Sequence, residues 1–237
     1  MLEFATYSDQ GGRGANEDSI AWTPGREGEL CLVVADGLGG HGGGQVASGL
    51  AARTIGAGWE RQADPEHLRV LVLRAHRAIQ TAQSPQCTMK STVAALAVAG
   101  GQTAWAHVGD TRIYHFIQGR LVFQTKDHSA SQLAVWLGDI TQDQVRFHQD
   151  RCRILRALGQ EGDVKVETGG EQLEPGTHAF LLCTDGFWEY VLEEEMEETL
   201  SRAQGPKDWL ERMRARLNQR APSDCDNNSA AAVWLRQ

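Results

Sequence analysis

Apolar residues along this chain gather in short runs. "LEFATYS" (2–8), "LCLVVA" (30–35), "TVAALAVA" (92–99), "TAWAHV" (103–108), "TRIYHFI" (111–117), 120–124, 163–168, 178–183 and "SAAAVWL" (229–235) each predict a β-strand. "AGGQT" and "IQGR" are hairpin turns and Gly109-Asp110 is a tight link, so four consecutive strands predict an antiparallel sheet centre. Helical spacing appears between the runs. Leu68, Leu71, Val72, Ala75, Ile79 and Ala82 recur at i, i+3, i+4 spacing, as do Leu210, Met213 and Leu217 in a segment that Pro206 opens. A further helix is expected through "QVASGLAARTIGAGW", and 129–160 reads as short helices and loops. No repeat or linker divides the chain, so the expectation is one α+β domain over residues 1–237.

Composition restricts the partners. The 237 residues are 41% hydrophobic, enough for a substantial core, and the net charge of −8 argues against a nucleic-acid surface. The N-terminal segment lacks the charge and apolar pattern of a signal peptide, and no apolar run approaches the roughly 18 residues of a membrane span. Five scattered cysteines without C-x-x-C suit a reducing compartment, and most of them fall in strands; Cys87 is the one expected to be exposed. The expectation is a cytoplasmic chain with no nucleic-acid or membrane partner.

The segment "VVADGLGGHGGG" (33–44) places Asp36 at the end of an apolar run, followed by six glycines in eight positions. Gly37, Gly39 and Gly42 satisfy the dinucleotide pattern G-x-G-x-x-G, but that pattern needs a parallel βαβ unit with an acid ending its second strand. Glu60, at about the right distance, lies in a helix-end loop instead. A P-loop is excluded because no Gly-Lys-Ser/Thr follows. Two readings remain at this point: a strained turn capped by Asp36, or a metal site approached by backbone carbonyls.

Further acids favour the metal. Glu17 and Asp18 lie in "RGANEDS" after the first strand, Asp110 in "VGDTRIY" between two strands, Asp185 after a strand in "LLCTDGFWE", and Asp226 before the last strand. Gathered together they would repel one another and take up protons unless cations compensated. An all-oxygen ligand set calls for Mg²⁺ or Mn²⁺ rather than Zn²⁺. Two ions about 4 Å apart, sharing Asp36, would acidify a bridging water and clamp a phosphate. Arg13 would supply a bidentate fork for the phosphate oxygens.

These segments resemble the metal-dependent protein phosphatases of type 2C in their short bacterial form. "RGANEDS" is similar to the family's R-x-x-N-E-D, "VVADGLGGHGGG" to D-G-M-G-G-H, "KSTVAAL" to its S-G-S/T-T strand and "HVGDTRIY" to G-D-S/T-R; "TKDHS", "RILRALG", "LLCTDGFWE" and "DNNSAAAVWL" follow in the family's order. The resemblance runs from about residue 5 to residue 235. It implies a four-layer αββα sandwich: two stacked, mainly antiparallel sheets flanked by helices, with 129–160 as the flap beside the site. It further implies that Asp36, Asp185 and Asp226 hold one metal. Glu17, Asp36 and the Gly37 carbonyl hold a second, Asp18 orients bound waters, Asp110 with Asp185 matches a third-metal site, and Arg13 binds phosphate.

The activity so implied is hydrolysis of phosphoserine and phosphothreonine in proteins by a metal-bridging water, opposing a bacterial serine/threonine kinase, by a monomer. A small-molecule phosphomonoesterase using the same metals is the competing enzyme. A non-catalytic regulatory module would show lost metal acids, and none is lost. Two positions depart from the pattern. Leu38 stands where eukaryotic members carry a proposed general-acid His, with His41 three residues on, which leaves the general acid unassigned and a metal-bound water as a candidate donor. Asn228 replaces an apolar or β-branched residue. His128, Ser91 and Thr92 read as supporting hydrogen-bonding residues, Trp188 as packing, and "EEEMEE" (193–198) as a solvated helix face.

Overall fold

The computed structural model describes residues 1–39 and 43–236, so His41 and Gly42 lie outside the described residues. The strands are β1 (Leu2–Asp9), β2 (Ser19–Pro24), β3 (Leu30–Ala35), β4 (Gly37–Leu38), β5 (Lys90–Ser91), β6 (Val93–Ala99), β7 (Gln102–Val108), β8 (Arg112–Ile117), β9 (Arg120–Gln124), β10 (Glu167–Gln172), β11 (Thr177–Cys183) and β12 (Asn228–Arg236). The helices are α1 (Gly43–Gly58), α2 (Pro65–Ala82), α3 (Ala130–Leu137), α4 (Asp185–Trp188), α5 (Glu193–Arg202) and α6 (Pro206–Arg220), with a 3₁₀ turn over Gln142–Phe147.

Two antiparallel five-stranded sheets carry the fold, in the orders β1-β12-β11-β8-β9 and β10-β7-β6-β3-β2. Alternation along each inner strand explains the layering, because successive side chains point to opposite faces. On β3, Leu30, Leu32 and Val34 meet Phe180, Leu182, Ala231 and Val233 of the facing sheet. Cys31, Val33 and Ala35 turn the other way, onto Ala47, Ala51 and Ile55 of α1 and Leu68, Leu71 and Val72 of α2. The outer face of the first sheet buries Tyr114, Phe116, Leu181 and Ala232 under Trp209, Met213 and Leu217 of α6 and Met196 of α5. Three apolar cores between four layers make the expected αββα sandwich.

Local signals set the helix starts. Asp64 caps α2 by accepting from the Glu66 N–H (3.0 Å), with Pro65 at its first position, and Pro206 opens α6 in the same way. Ser129 caps α3, which Gly138 ends at φ +82°. No helix of the described residues is long and apolar enough to cross a membrane.

The structure differs from the sequence reading in several places. β2 was not expected, and the predicted strand at 163–168 lies instead at Glu167–Gln172, where β10 pairs with β7. The four consecutive central strands do not share one sheet. β6 pairs with β7 and β8 with β9, but the Gly109-Asp110 link carries the chain from one sheet to the other. The exposed cysteine is Cys152, on the loop after the 3₁₀ turn, whereas Cys87 is half-buried and only Cys31 and Cys183 lie in strands. The acidic face of α5 is not wholly solvated either, because Glu195 pairs with Arg220 (2.6 Å) and Glu193 with Arg146.

Leu32 is fully buried between the sheets. Leu32→Ala is expected to lower the unfolding free energy by about 3 kcal/mol in urea titration, since removed methyl groups leave a cavity that neighbouring strands cannot fill. A loss below about 1 kcal/mol would contradict this packing.

Candidate metal centre and active site

One end of the sandwich carries a pocket of about 470 Å³ whose lining includes Arg13, Glu17, Asp36, Gly37, Asp110, Asp185 and Asp226. The structure thus brings seven of the eight sequence-predicted residues to one cavity. The eighth, Asp18, is buried nearby, where its Oδ2 accepts from the Thr184 hydroxyl (3.0 Å).

Each acid is presented by a strand end or loop whose backbone is tied down. Asp36 leaves β3 with its N–H donated to Thr92 Oγ1 (3.2 Å), while its carbonyl accepts from Thr92 N–H (2.9 Å) and the Ser91 hydroxyl (2.9 Å). Ser91 and Thr92 therefore brace the Asp36 turn. Thr92 also shares a 2.5 Å hydroxyl contact with Thr111, which links the Asp36 turn to the Asp110 loop. A side chain at Gly37 would collide with the Gly44 and Glu17 carbonyls, so the residue after Asp36 must be glycine.

The Asp110 loop is held from two sides. Trp188 donates its indole N–H to the Asp110 carbonyl (2.9 Å), and His128 Nδ1 accepts from the Gly109 N–H (2.9 Å). Trp188 therefore positions backbone as well as packing, and its ring carries the Arg112 guanidinium 3.5 Å from its centroid. Arg112 in turn forms a buried two-point pair with Asp127 (2.8 and 2.7 Å). Removing either partner would strand a buried charge, a loss of about 3–5 kcal/mol.

Asn227 fastens the loop between β1 and β2 to the start of β12. Its amide donates to the Gln10 (2.7 Å) and Ala15 (2.9 Å) carbonyls, and its Oδ1 accepts from the Glu17 N–H (2.8 Å). Arg13 at the mouth is more than half exposed and donates from Nη2 to Asp226 Oδ2 (2.8 Å). Asn228 is buried but satisfied: Tyr7 donates its hydroxyl to Oδ1 (3.3 Å), and Nδ2 donates to the Asp226 carbonyl (3.3 Å).

The electrostatics follow from this crowding. Burial, reinforced by Asp18, Asp185, Asp110 and Asp226, holds the Asp36 carboxyl well above the usual carboxylate range. Burial and then Glu189 and Asp226 push Asp185 up to about 8, while burial raises Asp18 to about 7 against hydrogen bonds from Ser229 and Thr184. Asp110 is raised by burial and Asp185, with Arg112 opposing. Buried Asp18 Oδ1 and Asp110 Oδ1 have no hydrogen-bond partner among the described residues. An all-oxygen donor set with orphaned carboxylate oxygens and strong proton affinity fits hard divalent cations. Sequence reasoning missed Cys152 and Ile154, which line the same pocket from the loop after the 3₁₀ turn, and Glu189 beside Asp185. Nothing in the spacing of Cys152 and Ile154 marks them, because only the folded loop brings them to the acids, whereas Glu189 follows Asp185 by four residues, a spacing that one helical turn places on the same face.

A fold of two stacked antiparallel sheets with a carboxylate pocket at one end defines a class, and the comparisons agree with it. The pattern of the family described as Protein phosphatase 2C matches residues 10–229, and the chain belongs to that family. It is 32% identical over 195 residues to the serine/threonine phosphatase stp of Listeria welshimeri, covering 78% of this chain and 77% of that protein. The solved Mycobacterium tuberculosis serine/threonine phosphatase PstP/Ppp superposes with a TM-score of 0.87 at 29% identity, covering 100% of this chain and 99% of that one. A PstP catalytic domain in complex with two manganese ions gives a TM-score of 0.84 at 28% identity, covering 100% and 99%.

The raised carboxyls set a pH dependence. Below about pH 6.5 the buried His107, His115 and His128, whose proton affinity burial lowers, oppose the acids; from there to about pH 8 the metal-free folded chain binds more protons than the unfolded chain at Asp18 and Asp185, so its stability falls as pH rises through that window. With EDTA present, the melting temperature is expected to drop from about pH 6.5 to about pH 8, and Mn²⁺ is expected to raise it more at the higher pH. Melting curves that climb with pH in EDTA, or an Mn²⁺ increment independent of pH, would contradict the clustering of these acids.

Proposed function

We propose that this protein phosphatase removes phosphate from phosphoserine and phosphothreonine in proteins, opposes a bacterial serine/threonine kinase, and uses two Mg²⁺ or Mn²⁺ ions with a third at Asp110 and Asp185. The carrying observation is the convergence of Glu17, Asp36, Asp110, Asp185 and Asp226 in one pocket with Arg13 at its mouth. On this reading Asp36, Asp185 and Asp226 hold one ion, and Glu17, Asp36 and the Gly37 carbonyl hold the other. When bound, the ions supply Lewis-acid charge that acidifies water and neutralises phosphoryl oxygens.

The chain's own groups do the rest. Arg13 is exposed and, among the described residues, paired only with half-exposed Asp226, so its guanidinium can turn to two phosphate oxygens once the Asp226 charge is satisfied elsewhere. Asp18 accepts from the Thr184 hydroxyl through Oδ2, and its Oδ1, without a partner among the described residues, is free to orient nearby water. Leu38 offers no proton, and His41 lies outside the described residues, so no side chain is assigned as general acid.

Protein rather than metabolite substrates fit the surface. Among the described residues, five of the ten exposed large hydrophobic side chains, Leu133, Trp136, Leu137, Phe147 and Leu155, fall in 129–160, the segment that also contributes Cys152 and Ile154 to the pocket. Such apolar exposure suits a peptide-bearing partner better than a sugar phosphate. We assign the chain as one catalytic domain with this segment as its flap, acting as a cytoplasmic monomer.

The test is phosphate release with Mn²⁺ from a phosphothreonine peptide and from glucose 6-phosphate. Turnover of the peptide in preference to the sugar, abolished by EDTA and by Asp185→Asn, is expected. Preference for the sugar would favour the small-molecule reading, and no turnover of either by folded, metal-loaded protein would overturn the assignment. Arg13→Ala should raise KM for the peptide by about tenfold or more while changing kcat less, since it removes both charge-assisted hydrogen bonds of the fork from the phosphate.

A further inference from the structure

Beside the Asp110 loop, and lining no part of the acid pocket, stand His107, His128 and Glu167. His128 is almost fully buried and grips the Gly109 peptide from both sides: its backbone N–H donates to the Gly109 carbonyl (2.7 Å), and its Nδ1 accepts from the Gly109 N–H (2.9 Å). Gly109 needs that grip. Its φ of +105° lies in the region that favours glycine, a Cβ there would collide with Thr92, and it hands the chain directly to Asp110.

These bonds fix where the ring proton sits. Nδ1 must offer a lone pair to accept from Gly109, which an imidazolium could not do, and burial favours the neutral ring, so the single proton is on Nε2. That proton excludes a metal ion at Nε2, although His107, His128 and Glu167 each offer an atom within 4.8 Å of the others. What Nε2–H needs is an acceptor. Glu167 Oε1 lies 3.1 Å away, a charged contact off the line of an ideal hydrogen bond, and Arg156 Nη1 lies 3.8 Å from the same oxygen and balances its charge. The pairing of β10 with β7 puts Glu167 there, directly opposite His107. His107 stacks on the His128 ring with centroids 4.7 Å apart, and its nitrogens have no hydrogen-bond partner among the described residues, so it packs the ring without tying it elsewhere.

We propose that Glu167 is a positioning residue for the Asp110 cation site: it accepts the Nε2 proton of His128, which leaves Nδ1 to hold the Gly109 N–H and so sets the Asp110 carboxylate for an ion. Without that carboxylate the buried Nε2–H loses its charged acceptor, and the ring gains by turning away from Gly109 to find another. The effect on a bound ion rests on the proposed cation site at Asp110; the His128 tautomer and its hold on Gly109 do not.

The metal-free chain with ¹⁵N-labelled histidine tests the contact by NMR. Native His128 should show a protonated Nε2 and an unprotonated Nδ1, with the Gly109 amide protected from hydrogen exchange. Glu167→Ala should shift the Nδ1 resonance and speed Gly109 exchange about tenfold, whereas Glu167→Gln, whose amide carbonyl still accepts, should stay close to native. Mn²⁺ titration tests the consequence. Glu167→Ala should weaken about tenfold the site that Asp110→Asn abolishes, and should change nothing further in the Asp110→Asn background. A proton on Nδ1 of native His128, native Gly109 exchange in Glu167→Ala, equal losses in the Ala and Gln variants, or a native Mn²⁺ titration in Glu167→Ala would overturn the proposal. The expected changes in exchange and Mn²⁺ affinity in a chain that releases no phosphate would overturn the proposed function and leave the positioning role standing.

Discussion

The constraint on which the rest depends is the mutual repulsion of carboxylates held together out of water. Asp36, Asp110 and Asp185 each meet a raised barrier to ionisation, first from burial and then from one another. A fold left to its own stability would scatter such groups or pair them with arginine, as it pairs Asp127 with Arg112. Here the acids are kept unpaired by an apparatus of neutral hydrogen bonds. Thr92 and Ser91 brace the Asp36 turn, Trp188 and His128 hold the Asp110 loop, and Asn227 ties Glu17 to the start of β12. Stability is given up locally so that cations can recover it.

The sandwich makes that arrangement rigid. Asp36 extends β3, a central strand packed on both faces, and Asp185 follows β11, whose neighbours β8 and β12 lead from Asp110 and Asp226. All four aspartates therefore sit where strands of the two facing sheets begin or end. A displacement of one acid would require sliding a strand within a packed core, which close-packed interiors resist. Two loops close the rest of the cavity: the β1–β2 loop, which carries Arg13 and Glu17, and the loop carrying Cys152 and Ile154, which brings none of the five metal-centre acids and is where the site can vary without disturbing them.

Much of this was legible in the sequence, for identifiable reasons. β3, β9 and the hairpins β6–β7 and β8–β9 were readable because apolar runs end in glycine-containing turns. The acids were readable because each adjoins such a run. β2 escaped notice because it is an edge strand with an exposed Trp22 and no apolar stripe, and β10 because "ETGGEQ" is held by its pairing with β7 rather than by its own character. The crossing between sheets at Gly109-Asp110 has no local signal at all, since a three-residue link looks alike whether or not the sheet continues. For the same reason Cys152 was invisible as a neighbour of Asp185, since their proximity is a property of the folded loop; Glu189 was legible only to a reading that placed a helical turn directly after Asp185.

The central claim is that Asp36 joins two cation sites into one. Isothermal titration with Mn²⁺, comparing the native chain with Asp36→Asn and with correct folding verified by circular dichroism, tests it directly. The account predicts a pair of binding events in the native chain and the loss of both in the variant, because the shared ligand serves each ion. Retention of either event at native affinity in Asp36→Asn would contradict it.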